Sequence, residues 1–326
     1  MNRNRKPLVV SIIVVMMLLS FAAIYFTGSK KSGQVTLITH DSFVMSKEQI
    51  ATFNHESGFT LHVIKAGDAG SLTNRLILTK GSPIGDAVFG IDNTFAGVAS
   101  KNGVIDGALT PTDFGNVCFN YDKDWFASHK VPAPTSINQL TNKKYQGLTV
   151  VEDPNLSSTG LSFLATTVDK FGSNYSGYWK SLKANGVKVD SGWDLAYNTD
   201  FSGSAGKGKY PIVLSYATSP ADEVRDNGQT QTASILDGCF KQTEFAGVLK
   251  GAKNPDGAKA LISYLLSPAF QATFPESMYM YPIDQNVAIP ASWKAHVNLP
   301  TRTYGDSIDF ATGRKAWLAT WSAIFN

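Results

Sequence analysis

The densest gathering of side chains able to do chemistry lies in PIVLSYATSPADE, Pro211 to Glu223, where the apolar run Ile212, Val213 and Leu214 passes directly into Ser215, Tyr216, Thr218 and Ser219. In open α/β sheets, ligands sit beyond the carboxyl ends of the strands, where the turn into a helix presents unpaired backbone N–H groups. Ser219 as cap, Pro220 at the first helical position, and Asp222 and Glu223 close behind predict such a helix. An ordinary capped turn would carry the same residues, so both readings stand. The chain contains no GxSxG nucleophile elbow, no HExxH and no complete GxxxxGK[ST] phosphate loop. Hydrolysis by Ser157 or Ser215 with His40 is the catalytic alternative that these residue types leave open.

Further stretches carry the same mixture of hydroxyls, aromatics and glycine. They are THDSF (Thr39 to Phe43), GDAGSLTNRL (Gly67 to Leu76), GIDNT (Gly90 to Thr94), DPNLSSTG (Asp153 to Gly160), GWDLAY (Gly192 to Tyr197) and MYMYP (Met278 to Pro282). Together and in this order, from about residue 35 to about residue 285, they resemble the periplasmic thiamine-binding proteins of ABC importers. NPDGAKALISYLLSPAFQATF also looks like the late helix pair of importer solute-binding proteins. The resemblance implies a periplasmic-binding-protein-like type II fold, with two doubly wound α/β lobes around a central ligand cleft. It also implies a monomeric receptor with no catalytic residue, no cofactor and no metal. Its ligand would be thiamine, thiamine monophosphate or thiamine diphosphate, delivered to an ABC permease in the membrane.

Thiamine presents a flat aminopyrimidine, a cationic thiazolium and a hydroxyethyl arm that can carry phosphate. Aromatic faces hold flat cations, each contributing roughly 0.5 to 2 kcal/mol. Trp193, Tyr216 and Tyr279 are the aromatics in the matching motifs, and Ala217, Thr218 and Ser219 follow in the same stretch. Asp68 matches the family's acidic position and would face the cation, although it also suits the cap of a helix over Leu72 to Thr79. Ala69 stands where the family has glycine, which narrows the backbone geometry there. Ser157 and Ser158 match paired hydroxyl residues near the ligand's arm, at a helix start suited to an anion. His40, beside Asp41, departs from the family's usual tyrosine and brings a group able to carry charge near neutral pH. Other ligands of related receptors are ferric iron, a polyamine or an anion. Tyr216 lacks the adjacent tyrosine that iron receptors use, while Tyr279 and Tyr281 would share a face if that segment were extended.

At 326 residues the chain is long for a single core. The formal charge of +3 misleads, because residues 1 to 33 hold five of the 29 basic residues and no acid, leaving 24 basic against 26 acidic residues. A near-neutral body without a basic cluster argues against nucleic acid. Leu8 to Phe26 is an apolar run interrupted only by Ser11 and Ser20 and preceded by Arg3, Arg5 and Lys6. That predicts residues 1 to 33 as a signal peptide or an N-terminal membrane anchor, since the run exceeds the usual ~7–15 residues of a cleaved signal and approaches the ~20 of a membrane span. Small residues at Thr27-Gly28-Ser29 allow cleavage, and no cysteine follows for a lipid anchor. Cys118 and Cys239, the only cysteines, are either a disulfide of an oxidising compartment or two separately buried thiols.

The elements that must position these loops read as strand, loop and helix in repetition. Val35 to Thr39, Phe59 to Ile64, Asp86 to Gly90 and Leu148 to Val151 are the predicted strands. Ser46 with Gln49 is a capping box, and Asn254-Pro255 opens a helix with Ala258, Leu261, Ile262 and Leu265 at helical spacing. The pattern predicts a mostly parallel, doubly wound sheet. Crossings at Val117 to Tyr121 and Thr243 to Leu249 would divide residues 34–326 into lobe 1, about 34–116 and 243–285, and lobe 2, about 117–242 and 286–326.

Overall fold

The computed structural model describes residues 32–205, 207–305 and 307–326. The apolar run Leu8 to Phe26 lies outside the described residues, among which no helix is long and apolar enough to cross a membrane. The strands are β1 (Gly33–Thr39), β2 (Phe59–Lys65), β3 (Ala87–Asp92), β4 (Ile105–Asp122), β5 (Thr149–Glu152), β6 (Lys188–Asp190), β7 (Ile212–Tyr216), β8 (Thr232–Leu249), β9 (Tyr281–Pro282) and β10 (Thr303–Tyr304). The helices used below are α1 (Lys47–Ser57), α2 (Ala69–Leu78), α3 (Ala96–Lys101), α4 (Ser158–Phe171), α5 (Tyr175–Ala184), α6 (Pro255–Leu265) and α7 (Phe310–Phe325).

One sheet of order β2-β1-β3-β8-β4-β7-β5-β6 runs through both lobes. Its two ends are parallel, β1 with β2 and β3 on one side and β5 with β6 and β7 on the other. The middle is antiparallel, since β8 pairs with β3 and β4, and β4 pairs with β7. The mostly parallel sheet read from the sequence is therefore interrupted at its centre by the two long antiparallel strands β4 and β8. Helical connections on the outer ends leave the strand ends and their loops facing the gap between lobes, which is where a site can form.

Local signals account for several helix starts. Ser46 accepts from the Gln49 N–H while the Gln49 side chain accepts from the Ser46 N–H, the reciprocal capping box that starts α1. The Asn254 side chain caps α6, with Pro255 at its first position. Asp68 caps α2. Ser46→Ala should cost about 1 kcal/mol, a fall of roughly 2 °C in melting temperature for a chain of this size. Calorimetry reads this directly, and an unchanged melting temperature would show that the cap does not hold α1.

After β7, the expected helix is a single 3-10 turn, Ser219–Ala221, with Thr218 rather than Ser219 at its cap position. Asp222 and Glu223 are used instead to accept from the hydroxyls of Tyr279 and Tyr197, at 2.7 and 3.0 Å. Cys118 on β4 and Cys239 on β8 form a disulfide, which resolves the two readings of the cysteines. A bridge over 121 positions restricts the unfolded chain, typically by about 2–4 kcal/mol. α7 places Arg314 over the Phe95 ring and Trp321 edge-on to Trp179 of α5.

Candidate functional site

A cleft opens between the lobes. His40, Ser42 and Asp68 line it from the loops after β1 and before α2, Ser158 and Thr159 from the start of α4, and Glu244 from β8. Trp193, Tyr216 and the segment Ser277 to Met280 close the remaining walls. No lysine or arginine is among the described residues lining it.

The aromatic wall is built as one unit. Trp193 stacks on Tyr197 with centroids 5.0 Å apart and planes at 11°, while Tyr216 and Tyr279 are tilted against Trp193 at 6.1 and 5.7 Å. The Trp193 indole N–H donates to Ser215 Oγ at 2.8 Å, and Tyr216 donates its hydroxyl to Gln242 Oε1 at 3.1 Å. With Trp193 7% and Tyr216 8% exposed, these rings are core residues and cleft walls at once, although the polar turn around Trp193 suggests less burial. Tyr279 adopts a left-handed conformation at φ 58°, held by Thr218 Oγ1 donating to its carbonyl and by the Asp222 bond.

Asp68 plays two structural parts as well as facing the cleft. Its Oδ1 accepts from the Ala69 N–H at 2.6 Å, and its Oδ2 reaches across to accept from the Trp193 N–H at 2.9 Å. The Ser71 N–H, one of the donors left over at the start of α2, donates to the Leu156 carbonyl at 3.1 Å. These bonds hold the α2 start against the Asp153–Ser157 and Gly192–Trp193 loops.

Of the residues expected at the site, His40, Asp68, Ser158, Trp193, Tyr216 and Tyr279 meet in this cleft. Asp41 lines an adjoining cavity with Gly67, Ser191 and Gly192. The others stand behind the walls. Ala69 is buried with its N–H on Asp68, Ser157 shares a hydrogen bond with Thr159, and Ala217 packs against the disulfide with its N–H on the Asn116 carbonyl. Thr218 holds Tyr279, and Ser219 Oγ bonds Ser215 Oγ at 2.9 Å. Ser157 and Ser215 are thus committed to partners other than His40. Tyr279 and Tyr281 do not share a face, because Tyr279 ends a helix while Tyr281 enters β9 and stacks on Phe114.

Three features were not singled out from sequence. Gly203 to Lys209 has GxxxxGK spacing, but Tyr210 follows and the segment leads into β7 instead of a helix. Met278 and Met280 line the cleft although only their tyrosine neighbours drew notice. Glu244, 5% exposed, is the most consequential, and its one signal was a lone acid inside the apolar strand EFAGVL. His40 Nε2 lies 3.3 Å from Glu244 Oε2. The imidazole fits because Gly90, at φ +90°, has no side chain; a Cβ there would lie 1.9 Å from His40 Cδ2.

Asp68 and Glu244 are the carboxylates lining the cleft. Burial lowers the His40 pKa, but the charge and hydrogen bond of Glu244, with smaller effects of Asp68 and Asp41, outweigh it and leave the pKa above the usual value. Burial pushes the Tyr216 hydroxyl well up, and Glu244, Asp68, Asp92 and Asp113 add to this. Burial also holds Glu152 well above the carboxylate range, beneath Thr159, which donates to it at 2.8 Å.

Comparison with known proteins gives a consistent result. The family described as bacterial extracellular solute-binding protein matches residues 91–307. The thiamine-binding periplasmic protein of Escherichia coli (strain K12) is 29% identical over 316 residues, covering 88% of this chain and 92% of that protein. The protein of the same description from Salmonella typhimurium is 30% identical, with 88% and 92% covered. A solved structure described as a periplasmic thiamin binding protein superposes with a TM-score of 0.78 at 26% identity, covering 90% of this chain and 96% of that one.

Proposed function

Because the chain belongs to the bacterial extracellular solute-binding proteins, we propose that it is the receptor that captures thiamine outside the cytoplasm and delivers it to the permease of an ABC importer. The carrying observation is the cleft itself, with three aromatic rings, two carboxylates and no lining lysine or arginine among the described residues. Stacked rings and nearby negative charge suit a flat organic cation; a receptor for sulfate or phosphate alone would need neither. Tyr216 has no adjacent tyrosine in the chain and Tyr281 stacks on Phe114 instead of joining Tyr279, which disfavours iron, and the serines of the hydrolase alternative are bonded elsewhere. The resemblance in sequence and the structural neighbour point to the same ligand.

The finer parts of the reading are a monomer that binds without chemistry, closes its lobes on the ligand and is exported by residues 1–33, cleaved or retained as an anchor. The lobe limits near Val117–Tyr121 and Thr243–Leu249 are supported by those segments lying within the long strands β4 and β8. Ser158 and Thr159 at the start of α4 supply the place for a phosphate on the ligand's arm. The disulfide fits an oxidising compartment.

A single preparation tests this. Protein isolated from the extracytoplasmic fraction should weigh, under native conditions, as one chain plus thiamine or one of its phosphates, and its N-terminal sequence reads the fate of residues 1–33. Titration calorimetry then ranks the three ligands. Recovery from the cytosol with residues 1–33 intact, or no heat with any of the three, overturns the reading.

A further inference from the structure

Asp92, Glu244 and Asp113 stand opposite one another on three neighbouring strands, with Glu244 of β8 paired to Asp92 of β3 on one side and to Asp113 of β4 on the other. All three are at most 5% exposed. Like charges on one rung of a sheet destabilise it, and buried carboxylates are costly without a counter-charge. Two of the three show that cost: burial, with Glu244 adding, raises the Asp92 pKa to about 7 and that of Asp113 well above its usual value. One oxygen of each is also buried without a hydrogen-bond partner.

Glu244 is the member of the rung that lines the cleft, together with Trp193, Tyr216 and Tyr279. Its Oε1 has the Gln242 amide at 3.5 Å and its Oε2 has His40 at 3.3 Å. The charged groups around it are His40 from the end of β1, Asp68 and Asp41 from the flanking loops, Asp92 and Asp113 on the rung, and Arg314 of α7 on the Asp92 side. Arg314 does not line the cleft, so His40 is the group there able to supply positive charge to Glu244.

We propose that Glu244 is the counter-charge for the cationic ring of the ligand, and that His40 competes with that ring for the carboxylate and so makes affinity depend on pH. The inference rests on the thiamine reading above and assigns the residue that recognises the charge. Neutral His40 leaves Glu244 free to pair with the ligand, whereas protonated His40 satisfies it already. Ligand binding therefore releases a proton from His40, and affinity falls as pH drops through the His40 pKa, which lies above the ordinary 6.5. With one proton exchanged per ligand, the slope is at most about tenfold per pH unit.

The test is calorimetric titration with thiamine at pH 6, 7 and 8, each in two buffers of different ionisation heat, for the parent, His40→Gln and Glu244→Gln. The parent should bind more weakly at pH 6 than at pH 8 and should release a fraction of a proton. His40→Gln should remove both effects beyond what the ligand's own titration contributes to all three proteins. Glu244→Gln should lose tenfold or more in affinity at pH 8 and also lose the proton release, with melting curves confirming that both variants fold. If Glu244→Gln does not fold, the proton release of His40→Gln alone decides. Parent-like proton release in His40→Gln, or parent-like affinity in Glu244→Gln, overturns this inference while leaving the thiamine reading in place. Absence of thiamine binding to the parent at every pH overturns that reading and this one with it.

Discussion

Trp193→Ala should raise the dissociation constant for thiamine about thirtyfold, the effect of roughly 2 kcal/mol from one desolvated aromatic face. Trp193 touches three tyrosine rings and faces the cleft, with its backbone N–H held by Asp68 and its indole by Ser215. Removing so large a buried ring also weakens the fold, by about 3–5 kcal/mol, so two further variants separate binding from folding. Trp193→Phe keeps a ring against Tyr197 and forfeits the bond to Ser215, a loss of about 1 kcal/mol, and should bind within about tenfold of the parent. Trp125→Ala removes a half-buried indole that stacks on His129 at 4.0 Å, outside the cleft, and should leave affinity unchanged. Titration calorimetry on all three, with melting temperatures alongside, decides. Equal affinities for Trp193→Ala and Trp125→Ala would return Trp193 to a purely structural role.

Gly70→Ala should weaken thiamine binding tenfold or more without touching a residue that lines the cleft. Gly70 is the second residue of α2, and a Cβ there would lie 2.6 Å from the carbonyl carbon and oxygen of Leu156. Backbone atoms cannot step aside as a flexible side chain can. The methyl group must therefore separate the two surfaces and stretch the neighbouring Ser71 to Leu156 hydrogen bond of 3.1 Å. Overpacking of this kind costs about 1–3 kcal/mol, and here it falls on the contact between the α2 start and the Asn155–Leu156 loop, to which the three nearest atoms belong. Small-angle scattering with saturating thiamine should give a larger radius for Gly70→Ala than for the parent, with similar melting temperatures in the absence of thiamine. A parent-like affinity and radius would show that the α2 start does not seat on the Leu156 loop when ligand is bound.

Much of the scaffold was legible because it rests on interactions among near neighbours. Ser46 and Gln49 cap α1 three residues apart, Asn254-Pro255 starts α6, and Ile212 to Leu214 form a buried strand whatever surrounds them. The matching motifs also named six of the residues that line the cleft. What sequence misjudged has local causes too weak to prevail. The turn after β7 carries good helix-start residues, yet Asp222 and Glu223 are drawn to tyrosines 57 and 26 positions away, and the turn ends after three residues. Tyr279 and Tyr281 alternate as on a strand, but the helix end at Met278 turns Tyr279 into the left-handed region and separates them.

The amino-acid sequence by itself determined the elements, their order and the chemical character of the loops, since hydrophobic pattern and caps act over a few residues. Only the tertiary structure decided which carboxylate meets which cation. His40 and Glu244 are 204 positions apart, and the rung that carries Asp92, Glu244 and Asp113 exists because β3, β8 and β4 pair in one register and not another. A shift of one residue would turn Glu244 to the opposite face of the sheet. Register is set by packing summed over the whole sheet, so no local signal around Glu244 could have placed its carboxylate in the cleft.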